Sequence, residues 1–329
     1  MVKIKKIFIT GGAGYVGAML APFLVSKGYE LTVYDLMIYG ENVVPYDQKI
    51  KKIKGDIRDI ESVKNSMKGH DAVIHLACIS NDPSFELNPN LGKSINLDAF
   101  EPIVKAAREL NIKRFIYASS SSVYGIKNEK NVHEDMRLEP LTDYSKFKAE
   151  CETILSKYNS DDFTTVTIRP ATVCGYSTRQ RLDVVVNILT NLAYHNRKIT
   201  VFGGDQLRPN LHINDMIESY YLVLNAKKNL ISNQIFNVGF ENKKVIELAN
   251  IVKEIIGNDV ILEKKETDDN RSYHISSRKI TEILNFKTQF TVEDAVIDLK
   301  KAFNEKQLVN TLENEMYFNI KRMNSYKLI

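Results

Sequence analysis

One stretch constrains this chain more than any other. Lys6-Ile7-Phe8-Ile9-Thr10 runs straight into Gly11-Gly12-Ala13-Gly14-Tyr15-Val16-Gly17, and an amphipathic stretch, Val16–Lys27, follows. An apolar run, a glycine turn and a helix in that order open a βαβ unit. The glycines read as GxGxxG from Gly12 or as GxxGxxG from Gly11. Either spacing permits a tight turn and lets backbone N–H groups at the helix start face a pyrophosphate. A purely structural strand–turn–helix is the plain alternative. Against it stands Asp35, at the end of the next apolar run, where a carboxylate holds adenosine ribose hydroxyls. The same carboxylate repels a 2′-phosphate, which favours NAD over NADP.

The pattern continues as an alternation. Strands are expected at Lys6–Thr10, Glu30–Tyr34, Ile50–Lys54, Ala72–Leu76, Arg114–Ala118, Thr165–Arg169 and Ile235–Val238. Helices are expected at Val16–Lys27, Asp59–Met67, Leu91–Leu110 and Tyr144–Tyr158. Nearly continuous apolar strands such as Phe115-Ile116-Tyr117-Ala118 belong in a sheet covered on both faces. The fold class is therefore α/β, a Rossmann-type doubly wound parallel sheet. After about residue 170 the rhythm changes to charged helices, a short strand at Ile199–Phe202 and loops rich in Asn, Asp and Arg. Residues 1–170 are read as the cofactor domain and 171–329 as a smaller, mostly helical substrate lobe. One strand near 235–238 returns to the main sheet. A length of 329 residues accommodates that division.

Composition closes off other classes. With 43% apolar and 26% charged residues the chain is no disordered polymer. No apolar run reaches the roughly 18 residues of a membrane span. The basic, then apolar, N-terminal segment is too short for a signal peptide. A net charge of +4 with scattered lysines leaves no concentrated nucleic-acid footprint. Cys78, Cys151 and Cys174 lie far apart without a CxxC pair, so neither a disulfide framework nor a metal site is expected. Reduced thiols fit a cytoplasmic protein.

Further segments carry chemistry. Gly55-Asp56-Ile57 follows the third strand and offers a carboxylate and an apolar contact to an adenine. His75-Leu76-Ala77-Cys78 ends the fourth, where small residues admit a cofactor and His75 itself reads more simply as a core histidine. Tyr144 and Lys148 stand four apart on one helical face. A tyrosine of ordinary pKa, about 10, is a poor base at neutral pH. A neighbouring ammonium and a cationic nicotinamide favour its phenolate, which can then take a proton from a hydroxyl. Ala118-Ser119-Ser120-Ser121-Ser122-Val123-Tyr124-Gly125, at the end of the fifth strand, sets serine hydroxyls beside the same place, or simply forms a turn. No GxSxG, HExxH or CxxC occurs, and Leu87 replaces the glycine a P-loop around Gly92-Lys93-Ser94 requires.

In combination and order, these motifs resemble the extended short-chain dehydrogenase/reductases, within them the NAD-dependent epimerase/dehydratase family acting on nucleotide sugars. Ile95-Asn96-Leu97, Arg169-Pro170 and His212-Ile213-Asn214-Asp215 extend the resemblance over nearly the whole chain. It implies Ser120 and Tyr144 as catalytic groups, with Lys148 as Tyr144's partner and nicotinamide-ribose ligand. It implies NAD contacts from Gly11, Gly14, Tyr15, Val16 and Gly17, and from Asp35, Asp56 and Ile57. Leu76, Ala77, Cys78, Asn96 and Tyr144 itself complete that set. Substrate contacts are implied for Ser121, Thr172 and Arg181, and Arg208 and Arg271 match arginines that hold the nucleotide diphosphate. Taken singly, either of that last pair could equally be a solvated surface residue.

Departures from the family pattern bear on the reaction. Where the 4,6-dehydratases carry Asp-Glu after the catalytic Thr, this chain has Ser121 and Ser122. Dehydration is therefore the less favoured reading. Thr172 replaces the sugar-contacting Asn of the usual R-x-x-N-V-Y-G-P segment. The run Arg179-Gln180-Arg181-Leu182-Asp183 looks more like a surface-polysaccharide subgroup that includes GDP-heptose 4-dehydrogenases. The leading expectation is an NAD-dependent nucleotide-sugar epimerase acting through a transient keto sugar at C4. A 4-dehydrogenase or 4-ketoreductase would use the same residues, and a non-catalytic cofactor-binding protein is the remaining class. By analogy the protein forms a homodimer through the helices Leu91–Leu110 and Tyr144–Tyr158.

Overall fold

In β1 (Lys6–Thr10), Ile7 and Ile9 pack to one side and Phe8 to the other, and all three are fully buried. Such a strand must be covered on both faces. The computed structural model describes residues 4–80, 82–129, 131–267, 272 and 274–326. After β1 come α1 (Gly17–Ser26), β2 (Glu30–Asp35), β3 (Ile50–Lys54), α2 (Ile60–Met67) and β4 (Ala72–His75). Two short helices, α3 (Asp82–Glu86) and α4 (Pro89–Lys93), precede α5 (Phe100–Glu109), β5 (Arg114–Ala118), α6 (Asp143–Ser156) and β6 (Thr164–Pro170).

Beyond β6 the chain makes β7 (Thr172–Cys174), α7 (Val185–Asn196), β8 (Lys198–Phe202), β9 (Leu207–His212), α8 (Ile213–Asn225) and α9 (Lys228–Ile231). Then follow β10 (Gln234–Val238), β11 (Glu241–Lys244), α10 (Val245–Ile256), β12 (Ile261–Lys265), α11 (Arg278–Leu284), α12 (Val292–Asn304) and α13 (Asn319–Tyr326).

Seven strands pair in parallel in the order β10-β6-β5-β4-β1-β2-β3. This is the doubly wound sheet expected, with β10 back at its edge beside β6. One core cluster joins Ile9, Val33, Ile74 and Ile168 to α1 and α8. The opposite face buries Phe8, Val73, Phe115 and Tyr117 against α2, α5 and α6. Truncating a buried aromatic such as Phe115 to Ala costs about 3–5 kcal/mol.

One expectation needs correction and another an addition. The stretch Leu91–Leu110 is not one helix: a π-helical turn at Ser94–Asp98 separates α4 from α5. The extra residue in such a turn lets Asn96 reach the chain after β4. The region beyond residue 170 is mostly helical as expected, but it also contains strands that the charge pattern does not announce. It holds a three-stranded sheet, β11-β9-β7, and a parallel pair, β12-β8. Of these, β8 coincides with the strand expected at Ile199–Phe202, whereas β9 and β11 are polar, as in Glu241-Asn242-Lys243-Lys244, so no apolar run betrays them.

Candidate active site

Strand order reverses between β1 and β4, and a parallel sheet opens a crevice at such a point, beyond the carboxyl ends of its strands. A cavity of about 540 Å³ lies there. At the ends of β1 and β4, just ahead of the cavity-lining Gly11 and Leu76, Thr10 Oγ1 and His75 Nδ1 lie 2.8 Å apart. His75 is buried among Phe100, Phe115 and Tyr117, and burial drives its pKa down to about 3. It is a neutral core histidine.

The glycine turn fits a dinucleotide. Gly11 has φ +71°, and a Cβ there would sit 2.5 Å from Ala77 N, so the turn presses directly on the chain after β4. At Gly14 an added Cβ would meet only Gly11 O, at 3.2 Å. That contact is tighter than a Cβ ordinarily makes, so a side chain at Gly14, which lines the cavity, would need the turn to shift. Helix α1 has no side-chain cap at Val16; the Ala18 and Met19 N–H groups already donate to Gly14 O and Val16 O, so only those ahead of them can face an anion. Asp35 accepts from the N–H groups of Ala13 (3.0 Å) and Met37 (2.8 Å). Burial raises its pKa, and these hydrogen bonds work against that rise.

Gly11, Gly14, Tyr15, Val16, Gly17, Asp35, Asp56 and Ile57 all border the cavity, as do Leu76, Ala77 and Cys78. Tyr15 also bridges the two halves: its hydroxyl donates to Gly175 O at 2.6 Å. The Asp56 carboxylate is engaged by Arg58 at 2.6 Å. Burial opposes its charge, but the hydrogen bonds from Arg58 prevail and hold it below the usual carboxylate range. Asn96 departs from expectation. It is not on the cavity wall; Ile95 is. Its amide instead accepts from Ile79 N (2.8 Å) and donates to Ile79 O (3.0 Å), clamping the loop that carries Ala77 and Cys78.

The catalytic candidates converge at the end of β5. Thr142 caps α6 in a reciprocal box with Ser145, which fixes Tyr144 in the first turn. Lys148 is buried, and its Nζ donates to Ala118 O at 2.6 Å, lying 5.8 Å from the Tyr144 ring centre. Ser120 begins the turn Ser121–Tyr124; its Oγ accepts from Ser122 N at 3.1 Å and lies 2.9 Å from Ser122 Oγ. Either hydroxyl can be the donor in that pair; when Ser122 donates, the Ser120 proton is free for a substrate oxygen.

One helical turn beyond Lys148, Glu152 anchors the same helix. Arg169 donates to it through Nη2 (2.6 Å) and Nε (3.0 Å), and Ser119 Oγ donates to its Oε1. Burial acts against the Arg169 charge, but Glu152 outweighs it and raises the guanidinium's pKa. Arg169 Nη1 also donates to the Tyr124 hydroxyl at 2.7 Å, whose pKa burial pushes up to about 12. The serine loop and the Tyr144 helix are therefore braced by one buried pair.

Ser121, Thr172, Arg181 and Arg208 also border the cavity. Arg181 Nε donates to Asp183 Oδ1 at 2.5 Å, and Arg208 on β9 donates to Leu207 O at 3.0 Å. Arg271 lies outside the described residues. Sequence reasoning missed Tyr39, Arg179 and Asn319, which also line the cavity. The clustered arginines were the only signal for Arg179, and nothing near Asn319 in sequence marks it.

The model of the family described as "NAD dependent epimerase/dehydratase family" matches residues 7–239. The chain is 26% identical to a UDP-glucose 4-epimerase of Lactobacillus helveticus, over 89% of this chain and 94% of that one. It is 30% identical to the human dTDP-D-glucose 4,6-dehydratase, over 77% of this chain and 73% of that one. Its fold superposes with a TM-score of 0.84 on a UDP-glucose 4-epimerase of Thermotoga maritima, at 22% identity, covering 92% of this chain and 100% of that one. With the glycine turn, Asp35 and the Ser-Tyr-Lys group in one crevice, the chain is an NAD-using enzyme that belongs to the NAD dependent epimerase/dehydratase family.

Proposed function

We infer that the enzyme is a nucleotide-sugar epimerase that works at C4 through a transient keto sugar. The observation that carries this reading is the meeting of Tyr144, Lys148 and Ser120 on one cavity wall, with only Ser121 and Ser122 after Ser120. Tyr144 as phenolate takes the proton of the sugar hydroxyl, and the buried ammonium of Lys148 favours that phenolate. Ser120 donates to the same oxygen as charge develops on it. Bound NAD supplies the chemistry at carbon, accepting a hydride and giving it back. Rotation of the keto sugar between the two transfers presents its other face, and Tyr144 then returns the proton. Thr172 and Arg181 belong to the sugar side, and Arg208 meets the nucleotide diphosphate. Ser121 and Ser122 supply no carboxyl pair to remove water across C5 and C6, which supports epimerisation over dehydration.

The loop Arg179–Asp183 favours a second reading, a 4-dehydrogenase or 4-ketoreductase with the same residues. A homodimer through α5 and α6, which lie side by side on the sheet, and a cytoplasmic role in surface-polysaccharide synthesis accompany either reading. The test begins by denaturing the purified protein and identifying the released cofactor. Fresh enzyme is then incubated with UDP-, GDP-, dTDP- and CDP-hexoses and followed by NMR and NADH absorbance. Interconversion of C4 epimers without net NADH is expected. Net NADH would transfer the function to the second reading, and a 6-deoxy-4-keto product or no turnover would overturn both.

A further inference from the structure

Only 3% of Arg179 is exposed, yet among the described residues no carboxylate is hydrogen-bonded to it. Its Nη2 donates to Asn319 Oδ1 at 2.6 Å, and its guanidinium lies 3.5 Å from the centre of the Tyr39 ring. Its Nε has no hydrogen-bond partner among the described residues. A guanidinium carries five N–H donors, and buried donors left unmade are costly. Burial lowers the pKa of Arg179, and the second cation, Arg181, adds to that. Arg181 gives Nε to Asp183, but its own buried Nη2 is likewise unpartnered. Two enclosed cations with donors in reserve call for an anion.

The surroundings of Arg179 say which. It lines the cavity and lies within electrostatic reach of Asp35 and Tyr15. Those two residues bracket the glycine turn, since Asp35 accepts from Ala13 N and Tyr15 follows Gly14. Ser177 fastens the Arg179 loop to the same turn, donating to Tyr15 O at 2.8 Å. Asn319 then fixes the guanidinium. Its Oδ1 accepts from Arg179 and from the Tyr39 hydroxyl (2.9 Å), and its Nδ2 donates to Ser80 Oγ at 2.9 Å. Its N–H donates to Asp183 Oδ2 at 2.7 Å. One residue of α13 thus joins the loops after β2, β4 and β7. Arg322 Nε, donating to Ile38 O at 2.5 Å, holds α13 in place.

We propose that Arg179 is a cofactor-binding residue that grips the pyrophosphate of NAD together with the glycine turn, and that Asn319 is its positioning residue. The assignment concerns cofactor retention and is independent of which sugar is turned over. It is tested on the full chain by the rate at which bound NAD exchanges with excess labelled NAD, and by the affinity for UDP in calorimetry. Exchange should be about tenfold faster or more in Arg179→Gln and in Asn319→Ala, and intermediate in Arg179→Lys, with UDP affinity unchanged. Asn319→Ala added to Arg179→Gln should change exchange no further, because it acts through Arg179. Unchanged exchange in Arg179→Gln overturns the proposal. So does an unchanged exchange accompanied by about tenfold weaker UDP binding, which would give the guanidinium to the substrate. If Arg179→Gln fails to fold, Asn319→Ala and Arg179→Lys decide the matter by the same exchange measurement.

Discussion

The two walls of the cavity are built on opposite plans. The glycine wall is local: Gly14 N–H donates to Gly11 O, Ala18 N–H donates to Gly14 O, and the turn is set by the two strands beside it. The opposite wall is long-range: Asn319 reaches Tyr39, Ser80 and Asp183, and Tyr15 reaches Gly175. A local wall follows from backbone geometry and keeps its form across a family. A wall assembled from distant loops can change one side chain at a time. The difference teaches that one crevice can join a wall fixed by neighbouring backbone to a wall gathered from distant loops, the two bordering the same cavity with Tyr144, Lys148 and Ser120.

The sharpest break to that picture would come from the meeting point itself. Tyr144→Phe should lower turnover about 10²–10⁴-fold while bound NAD stays at its normal content, as NMR rates and released cofactor will show. A loss of NAD instead would mean the junction is part of the cofactor wall. Next in size, Glu152→Ala strands the buried Arg169 charge and should reduce stability by about 3–5 kcal/mol in denaturant unfolding. Little loss would show that the Tyr144 helix needs no brace.

A pH series probes the core beside the local wall. The buried His75 has its pKa depressed to about 3 from 6.5, so between those values the unfolded chain binds a proton that the fold refuses. Stability from this group is complete above the unfolded value and falls as pH drops towards the folded one. Going from pH 7 to pH 5 should cost about 2 kcal/mol, and His75→Phe should flatten that slope. The smallest expected effect sharpens the distant wall. Arg208→Ala should raise KM for the sugar nucleotide about tenfold, or ~1.4 kcal/mol, and leave NAD content alone. Reduced NAD content would merge the two walls.

The same contrast governs what was legible beforehand. The parallel sheet was readable because strands such as Phe115-Ile116-Tyr117 are apolar on both faces, and the glycine turn because its residues are contiguous. Tyr144 and Lys148 were found by their helical spacing. The π turn at Ser94–Asp98 was not, because its cause is a tertiary clasp between Asn96 and Ile79. Strands β9 and β11 were missed because polar pairs such as Arg208 opposite Lys243 carry no alternation of apolar residues. Asn319 was invisible for the plainest reason: its role exists only once residues far apart in the chain have come together.

The return of β10 to the sheet has a consequence for synthesis. Strand β6 is sealed on its outer side only by β10, and residues 171–233 intervene. On the ribosome, then, the sugar-facing strands β7 to β9 are made while β6 is still a bare edge. An open strand edge is a template for pairing with another chain. At about 5–20 residues per second, that exposure lasts several seconds in each new molecule.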